Sequence, residues 1–270
     1  MEFAQIGVIA GKEFRDRLRN RWVLAVAAVF TAFALVIAYF GAAQQGAVGL
    51  RGIDVTIASL VSLVIYLVPL IALILGYDAI VAERERGSLD LLLSMPITRL
   101  ELLLGKFAGL AGALGVATFV GFGLAGVLLV QQLGGGALYH YGGFMLSAFL
   151  LSLCFLSLAV MVSVLAHDRV RASGVAIALW FLYVLVYDLV LLGILVVTEG
   201  RFSLNFFPVL LMLNPADIFR ILNIFGFEDV RRIYGLATVF PETLANPWLL
   251  GSAMVFWIIA PLGVAAWRFK

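Results

Sequence analysis

A chain of 270 residues with 64 % hydrophobic and only 13 % charged side chains has a mean hydropathy of +1.11. Soluble domains carry roughly 25 % charge, so the composition excludes a soluble enzyme and indicates an all-α integral membrane protein. The net charge of +2 says little by itself, no nucleic-acid partner is expected, and a lone cysteine, Cys154, excludes a disulfide framework.

Ahead of the first apolar run stands GKEFRDRLRNRW, whose mixed charge differs from the start of a cleavable signal. Ile6, Ala10, Phe14, Leu18 and Trp22 recur every four residues, with Lys12, Arg15, Asp16 and Arg19 elsewhere on the wheel. That spacing predicts an amphipathic helix over residues 1–21, lying in the cytoplasmic interface against membrane lipids. A plain basic topology signal is the simpler alternative.

A helix needs about 20 apolar residues to cross a bilayer. Trp22 to Gly41 supplies span one, and Val55 to Tyr77 supplies span two, with Pro69 as an expected kink. From Phe107 to His167 there is no Asp, Glu, Lys or Arg, which is too long for a single span. The glycines and polar groups of Gln131 to Gly143 are expected to break it into span three, Phe107–Val130, and span four, Phe144–Ala166. Span five runs from Ala172 to Val197 and span six from Trp248 to Trp267. In span three, Gly105-x-x-x-Gly109 has the spacing of close helix packing.

With both termini cytoplasmic, Lys12, Arg15, Arg17, Arg19, Arg21, Arg84, Arg86, Arg99, Lys106, Arg169, Arg171, Arg268 and Lys270 fall inside. The other five of the 18 basic residues fall outside, four of them in one long segment, to which the positive-inside rule does not extend. The expected topology is six spans in one domain over residues 1–270.

Between spans two and three the chain reads YDAIVAERERGSLDLLLSMPITR. Gly87 can end the span's helix, Ser88 can cap a new one, and Pro96 stops it. A short helix bracketed by charge suits docking in a cleft of another protein, with leucines as anchors and the ERER charges at the rim. A solvated helix that only turns the chain has the same pattern.

The run E-R-E-R-G-S-L-D-L-L-L-S-M-P-I-T-R, followed by L-L-L-G-K, resembles the signature of the ABC-2 type permeases. The resemblance implies that residues 83–99 are a coupling helix touching a cytoplasmic ABC ATPase dimer. Glu83, Arg84, Glu85, Arg86, Gly87, Leu91, Leu92 and Pro96 would be the coupling residues. It further implies a bacterial inner-membrane homodimer, with ATP and Mg bound by the partner and no cofactor in this chain. A narrower resemblance, through GKEFRDRLRNRW, YFGAAQ and NPADIFRILNIFGFEDVRRIYG, is to the permeases of nitrous oxide reductase maturation. That resemblance implies copper-site assembly in the reductase and a periplasmic β-helix protein as a further partner.

No G-x-x-x-x-G-K-[ST] cradle for phosphates, H-E-x-x-H, C-x-x-C or G-x-S-x-G occurs, so no catalytic residue is assigned. Asp188, inside span five with Tyr183 and Tyr187 nearby, is a candidate intramembrane polar site. Cys154, Met161, Met145 and His140 are scattered soft ligands rather than the two or three per station that Cu(I) needs, so no metal site is assigned. The segment 198–247 is expected to be extracytoplasmic, with a helix starting at Asn214-Pro215. It could be a re-entrant or interfacial cap sealing the outer mouth of a dimer, offer Asp217, Glu228, Asp229, Arg231 and Arg232 to a periplasmic partner, or do both. A secondary transporter and a scaffolding subunit remain alternatives; no half-to-half repeat supports the first.

Overall fold

The structure, a computed structural model, describes residues 3–19, 21–40, 53–133, 136–197, 207–224 and 246–269. Every regular element among them is helical. In chain order they are α1 Phe3–Arg19, α2 Trp22–Phe40, α3 Ile53–Gly76, α4 Val81–Glu85, α5 Ser88–Leu93, α6 Arg99–Leu133 and α7 Gly136–Leu165. Then follow α8 Arg169–Phe181, a π-helical turn Leu182–Val186, α9 Tyr187–Val197, α10 Phe207–Met212, α11 Pro215–Ile224 and α12 Pro247–Arg268.

Five stretches are long and apolar enough to cross a membrane: Thr56–Glu85, Arg99–Val127, Tyr139–Leu165, Arg169–Val197 and Pro247–Arg268. The pair α1 and α2, bent by 64°, brings the number to six. Helix α3 continues through Pro69. The boundary between spans three and four falls within Gln131–Gly143 as expected but is narrower, since α6 runs to Leu133 and Gly136–Gly143 forms the first two turns of α7. Tyr141 explains why helix forms there: its ring packs against Gly126 and its hydroxyl donates to Phe122 O at 3.0 Å. Contact with α6 therefore offsets the weak helix propensity of the glycines.

Helix α7 is the centre of the bundle, flanked by α6, α3 and α12. Its span is 72 % buried, which is why it is hydrophobic all round. On the far side of α6 lie α1 and α2. The glycines of α6 permit this: a Cβ at Gly105 would sit 2.7 Å from Ile9 Cβ, one at Gly109 2.6 Å from Glu13 Cβ, and one at Gly121 2.7 Å from Phe30 Cβ. The amphipathic helix α1 therefore lays Ile9, Phe14 and Leu18 against protein, while Phe3 and Val8 stay exposed. Span five, in contrast, is only 11 % buried and leans on α3.

Candidate functional site

Two polar assemblies interrupt this apolar bundle. The first is the hairpin of α4 and α5. Helix α4 ends because Gly87 takes φ +68°, a left-handed conformation that side chains with a Cβ resist. Ser88 does not cap α5 as expected; it is the first helical residue, and its hydroxyl turns back to the Glu83 carboxylate. After Leu93 the chain turns at Ser94-Met95-Pro96, and α6 opens with a capping box. Thr98 N donates to Glu101 Oε2 at 2.8 Å and Glu101 N donates to Thr98 Oγ1 at 3.2 Å.

The ERER charges go to different helices. Glu83 accepts from Lys106 Nζ of α6 at 3.0 Å. Lys106 also lies 3.4 Å from Glu13 of α1, which pairs with Arg17 at 3.2 Å. Arg84 reaches the end of α7, donating to Ala166 O at 2.6 Å and Val164 O at 3.2 Å. Those carbonyls are helix-terminal orphans at the negative end of the dipole, where a cation belongs. Glu85 does the converse at the start of α8, accepting from Arg169 N at 2.7 Å beside the N-cap carboxylate of Asp168. Adjacent residues of opposite sign thus cap the two helix ends that flank the α7–α8 turn. Ile80 N and Val81 N complete the layer by donating to Ser163 Oγ of α7 at 2.9 and 3.0 Å.

Glu83 and Arg84 are thus half-buried and face inward rather than standing at a docking rim. Glu85, Arg86, Gly87 and Pro96 are exposed. The leucines divide likewise. Leu89 is buried and Leu92 packs on the core, while Leu91 is 67 % exposed. Met95 is also exposed, as are the charged residues Glu85, Arg86, Asp90 and Arg99.

The second assembly surrounds α11. Asn214 caps this helix, its Oδ1 accepting from Ala216 N at 3.0 Å ahead of Pro215. Of the re-entrant and interfacial readings, the first fits: α11 inserts among α3, α7 and α12. Asp217 is only 1 % exposed and cannot serve the partner-facing role expected of it. It pairs with Arg220 at 2.6 Å, and Arg220 reaches Asp188 of span five at 2.8 Å. Asn214 Nδ2 donates to Tyr183 O in the π-turn at 2.9 Å, and Tyr187 OH donates to Leu210 O at 2.5 Å. Trp257 of α12 donates to Met212 O at 3.1 Å, and Asn223 Nδ2 donates to Ser147 Oγ of α7 at 2.9 Å.

Asp188, Tyr183 and Tyr187 therefore meet in one cluster, joined by Arg220 and Asn214, which the sequence had placed in an external segment. Asn-Pro opening an amphipathic turn signalled the helix, while its partners inside the bundle were not legible in the sequence. Glu228, Asp229, Arg231 and Arg232 lie outside the described residues. Cys154 is buried, with its thiol against Met254 O at 3.3 Å.

Five or six apolar stretches long enough to cross a membrane, two of them joined by a charged hairpin, define a multi-pass membrane protein. Residues 8–270 match the ABC-2 family transporter proteins, and the chain belongs to that family. Two curated relatives, each named "Probable ABC transporter permease protein NosY", come from Stutzerimonas stutzeri and Pseudomonas aeruginosa. Each is 44 % identical to this chain over 98 % of both chains. The family places the chain among multi-pass inner-membrane permeases whose ATPase activity sits in a separate subunit, and implies an ATPase partner and a dimeric assembly.

Proposed function

We propose that this chain is the permease of an ATP-driven complex serving nitrous oxide reductase maturation, and that it carries ATPase motion across the inner membrane. In this reading the hairpin end and both termini are cytoplasmic, and residues 83–99 form the coupling surface for an ABC ATPase dimer that binds ATP and Mg. A second copy completes the membrane unit. The outer side serves an exported species or a periplasmic β-helix protein engaged in copper-site assembly.

The observation that carries the proposal is the division of labour in the hairpin. Leu91 and Met95 stand exposed, an apolar knob on a hairpin that also exposes Glu85, Arg86 and Asp90. Glu83, Arg84 and Glu85 meanwhile fasten the same hairpin to α6, α7 and α8. A load applied to the knob is therefore delivered to three helices.

Purification from native membranes should bring down an ATPase together with a periplasmic β-helix protein. Leu91→Asp should leave the fold intact, since the side chain is exposed, yet weaken ATPase binding by about 2 kcal/mol, roughly 30-fold. Unchanged affinity would remove the coupling assignment.

A further inference from the structure

We infer that span five is the moving lever of this permease, driven at one end through Arg169, bending at the π-turn, and pulling the α10–α11 plug through the Asp188–Arg220 pair. The inference rests on the proposed coupling role of the hairpin and adds the route by which motion leaves it.

Three observations converge on this helix. Its inner end is fastened to the coupling segment. Arg169 N donates to Glu85 Oε1 at 2.7 Å, and the Arg169 guanidinium pairs with Asp78, just before α4, at 2.9 Å. Asp78 is in turn 3.5 Å from Arg17 of α1. Its outer half is fastened to the plug by Asp188–Arg220, Tyr183 O–Asn214 and Tyr187–Leu210. Asp188 lies roughly 28 Å along the helix from Arg169 at 1.5 Å per residue, so the two attachments are well separated.

Between them the helix is built to bend. Leu182–Val186 forms a π-turn, a site where helices kink and one that is frequent at functional positions. Asn214 of α11 donates to Tyr183 O inside this turn at 2.9 Å. A bend at this turn therefore moves a hydrogen bond that belongs to the plug itself.

The lever has room within its own protomer. There span five is the least buried of the five long stretches, and α8 is pinned to α3 by Trp180 Nε1–Tyr66 O at 2.9 Å and to the turn after α3 by Arg169–Asp78. Between the pins lies an apolar cleft of about 210 Å³, lined by Leu70 and Ile74 of α3, by Tyr77 just after it, and by Ser173, Ala176 and Ile177 of α8. Close-packed helices resist displacement, whereas a helix backed by a cleft can tilt without forcing its neighbours. The outer charges have the right stiffness. Asp217 of the same helix holds the Arg220 guanidinium in place, so α11 cannot move away from span five without separating the Arg220–Asp188 pair.

The test is hydrogen–deuterium exchange on the full complex with its ATPase in nanodiscs, nucleotide-free and trapped with ATP, Mg and vanadate. In the native complex, peptides covering 88–96, 182–186 and 215–224 should each change exchange by about twofold or more on trapping. Arg169→Gln removes the ion pair with Asp78 but keeps the backbone hydrogen bond to Glu85. It should keep the response at 88–96 and lose those at 182–186 and 215–224, with Arg169→Lys restoring them in part. Asp188→Asn should lose only the response at 215–224. A full response at 215–224 in Arg169→Gln, or none at 182–186 in the native complex, would overturn the lever while leaving hairpin docking in place. No response at 88–96 in the native complex would overturn both readings.

Discussion

The hairpin end and the plug are both held by ion pairs, but they are built on opposite plans. At the hairpin, charges are spread over many partners. Lys106 meets both Glu83 and Glu13, Glu13 also meets Arg17, and Asp78 meets both Arg17 and Arg169. At the plug a single Arg220 serves two carboxylates, and Asp217 is all but sealed from solvent. A distributed layer can lose one contact and keep the rest, which suits a surface that must yield under load. A concentrated latch holds or fails as a unit, which suits an element that must move with its partner.

The sharpest break of this comparison is Arg220→Met. It strands Asp217 inside the bundle, so we expect a loss of about 3–5 kcal/mol, read as a lowered thermal midpoint in detergent. Adding Asp217→Asn removes the stranded charge and should recover more than half of that loss. Gly109→Val tests the packing under the hairpin layer. Its new side chain meets Glu13 Cβ and Ala10 O, at 2.6 and 2.7 Å from the Cβ position alone. The expected cost of overpacking is about 1–3 kcal/mol, visible as early protease cleavage in α1.

Lys106→Met asks whether the hairpin layer is as tolerant as its design implies. Glu13 keeps Arg17 and Glu83 keeps Ser88, so the expected loss is about 2 kcal/mol, smaller than that of Arg220→Met in the same melt. A loss equal to that of Arg220→Met would erase the distinction between the two regions. The smallest effect belongs to Gly87→Ala. A Cβ there meets nothing within 4 Å, so only the left-handed backbone matters, at about 1 kcal/mol by the same melt.

Sequence reading was strongest where the physics is one-dimensional. Each expected span, Trp22–Gly41 through Trp248–Trp267, coincides with a helix to within a few residues, except that α6 and α7 extend further. Crossing a bilayer demands a local run of apolar residues, and no partner helix is needed to recognise it. The left-handed turn at Gly87, the stop near Pro96 and the start at Asn214-Pro215 were legible for the same reason, since each is set by the φ, the missing N–H or the short side chain of a single residue. The glycine spacing of α6 announced close packing but not that α1 would fill it.

What the tertiary structure alone decided is where the charges go. ERER reads as a solvated rim, yet three of its four residues serve helix termini or a lysine on α6, α7 and α8, because those ends happen to converge at the hairpin. Asp217 and Arg220 read as polar residues of an external segment, yet they lie within the bundle because α11 inserts between α3, α7 and α12 and brings Arg220 to Asp188, 32 residues earlier in the chain. A charge buried in an apolar bundle needs a partner of opposite sign or an orphaned backbone dipole. Local sequence fixes the charge, but only the packing of distant helices supplies the partner.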